Sequence, residues 1–180
     1  MKHGRHYAAP DVARFCAVDL KTVHAWAKKG SLVHEKSQGG QLRFRRTDLV
    51  AFLRGRGFPL PKAFARERPS LLAVGALADP LLERLSDGTE VAHESSPVRA
   101  LLELRERGPD ALVLGGTLGF SRALLVRELL VVEPRLVVAC TCASPAEGLS
   151  FRDAGARVVG VTGEDGAFAA ALFEVLGHDP

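Results

Sequence analysis

Residues 109–119 read PDALVLGGTLG, and the reading of this stretch decides the fold. Ala111, Leu112, Val113 and Leu114 are consecutive apolar residues, entered through Pro109-Asp110 and left through Gly115-Gly116. A strand with one wet face alternates polar and apolar side chains. An unbroken apolar run bounded by turn residues suits a strand covered on both faces, as in a parallel sheet. The pattern repeats on either side. SLLAVGA (70–76), TEVAHES (89–95), RLVVACTCA (135–143) and RVVGVTG (157–163) read as further strands. Between and after them ADPLLERLSDG, SPVRALLELRERG, FSRALLVRELLVVEP, SPAEGLSFRDAGA and EDGAFAAALFEVLG read as helices. Five β-α pairs predict an α/β unit over residues 70–180, with a parallel five-stranded sheet between helical layers.

The first third of the chain is chemically different. Residues 1–69 carry 15 Lys/Arg against 5 Asp/Glu, while residues 70–180 carry 9 against 16, so the net charge of +3 conceals a basic and an acidic half. A basic module of this kind predicts a polyanionic partner. The division falls in GRGFPLPKAFARERPS (55–70), rich in proline, glycine and basic residues. The expected organisation is a first domain over 1–57, a linker over 58–69 and a second domain over 70–180. Phe58, Leu60 and Phe64 give the linker a means of docking on a neighbour. No apolar run is long enough to span a membrane and the N-terminus lacks the apolar stretch of a signal peptide, so the expected compartment is the cytoplasm. Three cysteines, Cys16, Cys140 and Cys142, make no even disulfide framework.

Within the basic module, Val12, Phe15 and Cys16 fall at helical spacing. Asp19 stands where an N-cap belongs for a second helix over about Leu20–Lys29, which Gly30 closes. Val23, Trp26 and Ala27 point one way in that helix, as core residues, and Lys21, His24, Ala25 and Lys28 the other. Two short helices with a tight turn predict a helix-turn-helix. LVHEKSQGGQLRFRR follows as a hairpin around Gly39-Gly40, with Leu42 and Phe44 on one side and Gln41, Arg43 and Arg45 on the other. Thr47 then serves as the N-cap of a helix carrying Leu49, Val50 and Leu53.

The order Val12-Ala13, Thr22-Val23, Trp26, Gly30, Gly39-Gly40, Arg43-Phe44 and Asp48-Leu49 resembles the winged helix-turn-helix of MerR-type and excisionase-type proteins over residues 6–54. The resemblance implies binding to double-stranded DNA. Lys21, Thr22 and His24 would enter the major groove, Lys28, Arg45 and Arg46 would neutralise phosphates, and Gln41 and Arg43 would act from the wing. Gln41 and Leu42 stand where the family wing commonly has His and Arg, and Leu20 takes a site that is usually polar. The base preference is therefore expected to differ from that of relatives.

Residues 70–178 are similar to the receiver domain of bacterial response regulators, a flavodoxin-like (βα)5 fold of strand order 2-1-3-4-5. GPDALVL and DAGARVVGVT carry the likeness. In that family an acidic pair holds magnesium, an aspartate takes the phosphoryl group, and a Ser/Thr and a lysine complete the site. Here the acidic pair falls on Gly75 and Ala76, the acceptor on Gly115 and the lysine on Thr162. The hydroxyl position falls on Cys140 or Thr141. No hard oxygen ligand and no nucleophile remain at these positions, which implies a pseudo-receiver with no phosphorylation site, metal or cofactor.

The expected protein is a bacterial, nucleoid-associated DNA-binding transcriptional regulator and not an enzyme. Its pseudo-receiver would serve as a dimerisation, oligomerisation or protein-docking unit. Two alternatives stay open: a DNA-tethered scaffold that recruits a signalling or cell-organisation partner, and a small-ligand sensor using the crevice near Gly75, Gly115, Gly116 and Thr141. A redox or metal role for Cys140 and Cys142 has less support, since paired thiols in an apolar strand usually pack as core.

Overall fold

The computed structural model describes residues 6–62, 64 and 68–178. Positions 63 and 65–67 of the expected linker lie outside the described residues. The first unit comprises β1 (His6–Ala8), α1 (Ala9–Cys16), α2 (Leu20–Lys28), β2 (Glu35–Lys36), β3 (Leu42–Arg45) and α3 (Arg46–Gly55). The strands form an antiparallel sheet of order β1-β3-β2, with Tyr7 opposite Phe44 and Glu35 opposite Arg43. Val12, Val23, Phe44, Leu49 and Leu53 fill its core, each delivered by the apolar face of its own element. Trp26 lies at the core's edge with its ring centroid 5.0 Å from that of Phe52. Phe64 is fully buried, its ring 5.0 Å from Tyr7 and 5.6 Å from Phe15, and Phe58 and Leu60 pack on the same core. The segment after α3 is therefore stitched to the first unit by these three side chains.

Thr47, expected as an N-cap, sits instead inside the first turn of α3. The helix starts two residues earlier than that cap would give, at Arg46, with Arg45 at the cap position and no side-chain cap. Asp19 does occupy the N-cap position of α2, but its backbone carbonyl, not its carboxylate, accepts from Thr22 and Val23.

The second unit runs β4 (Ser70–Val74), α4 (Asp79–Gly88), β5 (Glu90–Glu94), α5 (Pro97–Arg107), β6 (Ala111–Leu114), α6 (Arg122–Val132), β7 (Val137–Cys142), α7 (Pro145–Asp153), β8 (Val158–Val161) and α8 (Asp165–Leu176). Its strands are parallel in the order β5-β4-β6-β7-β8. This is the 2-1-3-4-5 order of a doubly wound sheet. Ala100, Val126 and Phe151 carry α5, α6 and α7 onto one face, against Leu72, Leu112 and Val138. Leu85 and Leu172 carry α4 and α8 onto the other, against Leu71, Val113 and Ala139. Edge strand β5 is exposed or half-buried at every position, whereas β6 is buried at every position. Burial explains why β6 has no polar periodicity.

The two units meet where α3 lies on α8. Arg46 is fully buried in this seam. Its Nε donates to the Leu176 carbonyl (3.2 Å), and its Nη2 to the carbonyls of Phe64 (2.8 Å) and Gly177 (3.3 Å). A cation at the C-terminal end of α8 also complements the helix dipole. Gly177 closes α8 with φ of +67°, and a Cβ there would lie 2.5 Å from Val50 Cγ2, so no other residue admits this approach. At the rim Arg54 donates to the Glu174 carbonyl. Arg45 meets Glu133 at 3.6 Å, and Arg135 reaches Glu35 at 3.5 Å and Asp48 at 3.8 Å. Burial pushes the Asp48 carboxyl up, and Arg135 offsets that only in part.

Candidate nucleic-acid interface and receiver crevice

The turn between α1 and α2 sets the angle of α2. Ala17 adopts a left-handed conformation (φ 51°), and Val18 N–H donates back to Ala13 O at 3.0 Å. With Val23 and Ala27 turned inward, α2 presents Lys21, His24, Ala25 and Lys28 to solvent, with Thr22 half-buried beside them. In the wing, Gly40 (φ +75°) makes the turn and its N–H donates to Ser37 O at 2.8 Å. Phe44 faces the core, and Arg43 projects from the opposite face of β3 with Nη2 donating to Gln41 Oε1 at 2.8 Å. The Gln41 amide thus holds the wing guanidinium in place.

Two residues expected at phosphates lie elsewhere. Arg46 is enclosed in the seam, where its charge is spent on carbonyls, and it has no path to a phosphate. Arg45 pairs with Glu35 at 2.6 Å and leans toward Glu133. Of the expected DNA contacts, those left at the surface are Lys21, His24 and Lys28 of α2, with Thr22 beside them, and Gln41 and Arg43 of the wing. Leu20, 45% exposed at the start of α2, adds an apolar group to that surface. Since α3 faces the second unit, α2 and the wing turn stay outside the seam.

The receiver crevice is built by strand ends in register: Val74 pairs with Leu114, and Leu114 with Cys140. Extending this register sets Gly75 beside Gly115 and Thr141, so Thr141, rather than Cys140, lies level with Gly115. The crevice is closed rather than roomy. A Cβ on Gly75 would lie 2.4 Å from Gly115 O, and one on Gly115 would lie 2.2 Å from Leu77 Cδ2 and 2.7 Å from Ala76 O. This removes the space that a small ligand between Gly75, Gly115 and Gly116 requires. Thr162 Oγ1 donates to Cys142 O at 3.1 Å.

A cation does stand at these strand ends, and nothing in the sequence marked it. Arg122, at the start of α6, donates through Nη1 to Thr141 O (2.8 Å) and through Nη2 to Glu147 Oε1 (2.6 Å), with its guanidinium over Phe151 at 4.7 Å. Glu147 also accepts from Ala143 N–H at 2.8 Å, and these contacts hold its carboxyl below the usual range. Arg122 thereby clamps the ends of β6 and β7 to α7. Cys140 is buried, which pushes its thiol up to about 12 and leaves it an unreactive core group at neutral pH. Cys142 Sγ donates to Gly160 O at 3.4 Å. Among the described residues no group of three His, Cys, Asp or Glu side chains is arranged to hold a metal ion, and no helix is long and apolar enough to cross a membrane.

Residues 7–57 match the family model of the helix-turn-helix domain. No curated protein matches the chain. Similar solved structures include a response regulator from Thermotoga maritima, 17% identical with a TM-score of 0.54, covering 62% of this chain and 99% of that one. A chemotaxis response regulator of Vibrio cholerae is 14% identical with a TM-score of 0.52, covering 61% of this chain and 99% of that one. A CheY-like protein from Pseudomonas aeruginosa PAO1 is 20% identical with a TM-score of 0.52, covering 63% and 97%. At such identities the likeness establishes the fold. The chain joins a helix-turn-helix domain to an α/β unit with the fold of a response-regulator receiver.

Proposed function

We propose that this protein is a bacterial DNA-binding transcriptional regulator, acting on the nucleoid, whose receiver-like unit is not phosphorylated and serves dimerisation or protein docking. The observation that carries this reading is the exposed basic face of α2, with the Gln41-braced Arg43 in the wing, on a helix-turn-helix domain. Lys21, Thr22 and His24 address base edges from the first turns of α2, and Leu20 adds an apolar contact suited to a thymine methyl. Lys28 and Arg43 neutralise phosphates. For the second unit, glycine at the acceptor position and the absence of carboxylates at Gly75 and Ala76 support a regulatory role without phosphoryl chemistry.

Fluorescence anisotropy on a mixed-sequence duplex across a salt series tests the reading. The full chain binds with a steep salt dependence, and Lys28→Ala with Arg43→Ala reduces the slope of log affinity against log salt by about 2, one per phosphate contact. A slope unchanged by the double substitution assigns the phosphate contacts to another surface. Absence of binding at low salt overturns the reading altogether.

A further inference from the structure

We propose that a second copy of this chain docks antiparallel on the outer face of α6, closing a two-fold dimer in which Leu124 meets Val131 of the other copy and Arg127 meets its Glu128. The inference deepens the proposed dimerisation role of the receiver-like unit, and rests on it.

At 100° per residue, Leu124, Arg127, Glu128 and Val131 form one stripe on α6, opposite the buried Val126 and Leu129. A helix on the surface of a monomer carries polar residues on that side. Here Leu124 is 56% exposed and Val131 71%, while α5, covering the same face of the sheet, adds Val98 at 71% and Leu102 at 61%. Exposed apolar groups gathered on neighbouring helices mark an interaction surface.

The charges identify the occupant. A two-fold axis crossing α6 midway between Arg127 and Glu128 exchanges these two residues, and exchanges Leu124 with Val131. The dimer then pairs cation with anion twice and Leu124 with Val131 twice, the self-complementarity that an isologous interface requires. A parallel arrangement would bring Arg127 against Arg127 and Glu128 against Glu128, which is repulsive. Neither residue has an ion pair within the chain among the described residues, so both charges are available. The other helical layer offers less room, since α8 is engaged by α3 through Arg46.

Sedimentation equilibrium of the full chain tests the pairing through charge reversal. The wild-type chain is expected to form a dimer. Arg127→Glu alone and Glu128→Arg alone each raise its dissociation constant by about tenfold or more, and the double swap returns it to within about threefold of wild type. All three changes are at exposed positions, and circular dichroism confirms that the fold is kept. A wild-type dimer indifferent to both single reversals overturns this face while leaving dimerisation in place. A wild-type monomer overturns both. Single reversals that weaken the dimer without rescue by the double swap overturn the antiparallel arrangement.

Discussion

Arg43, Arg45 and Arg46 lie within four positions of one another in the sequence, yet the fold gives them different work. Strand alternation made Arg43 legible as an outward residue of the wing. It could not separate Arg45 from Arg46, because their surroundings come from residues 133–135 and 176–177, far along the chain. Arg46 is the stronger case. Its guanidinium satisfies three carbonyls in a place closed to water, so removing it strands acceptors as well as opening a cavity. Arg46→Ala is expected to lower the unfolding free energy by about 3–5 kcal/mol in a urea titration. Arg46→Lys should recover only part of that, since an ammonium cannot reproduce the fork. A loss below about 1 kcal/mol for the alanine variant would place Arg46 outside the contacts that hold the seam.

At the scale of the element, most of the structure could be read directly. Apolar runs and amphipathic periods marked the strands and helices of the second unit, because a doubly covered sheet writes burial into every residue of its central strands. What escaped notice was short or tertiary in origin. β1 is three residues, His6–Ala8, whose extended state depends on pairing with β3. The start of α3 falls at Arg46, before Thr47, without any side-chain cap to mark it in the sequence. The α1–α2 turn exposes a further cost: Ala17 is the only described non-glycine residue with positive φ (51°), a conformation that disfavours a Cβ. Ala17→Gly is expected to raise stability by up to about 1 kcal/mol, the relieved strain exceeding the added flexibility of the unfolded chain. Thermal denaturation checks this, and a lower midpoint would mean that the turn carries no such strain.

For the whole molecule, the division into two chemically distinct halves was legible from charge, whereas their union was not. The linker composition suggested a spacer, but Phe58, Leu60 and Phe64 pack on the first unit, and the seam adds Arg46 and the Val50–Gly177 contact. Rim ion pairs such as Arg45–Glu133 are part-exposed and contribute little. The buried contacts should therefore make the halves unfold together, as one calorimetric transition whose van't Hoff and calorimetric enthalpies agree. Two resolved transitions would show that the seam does not couple them. The closed crevice also limits which side chains its loops can accept. Placing an acid at position 75 or 115 would first drive a Cβ into backbone oxygen, at 2.4 Å from Gly115 O or 2.7 Å from Ala76 O. A carboxylate cannot enter at either position by a single substitution without misfit; the two loops would have to part first.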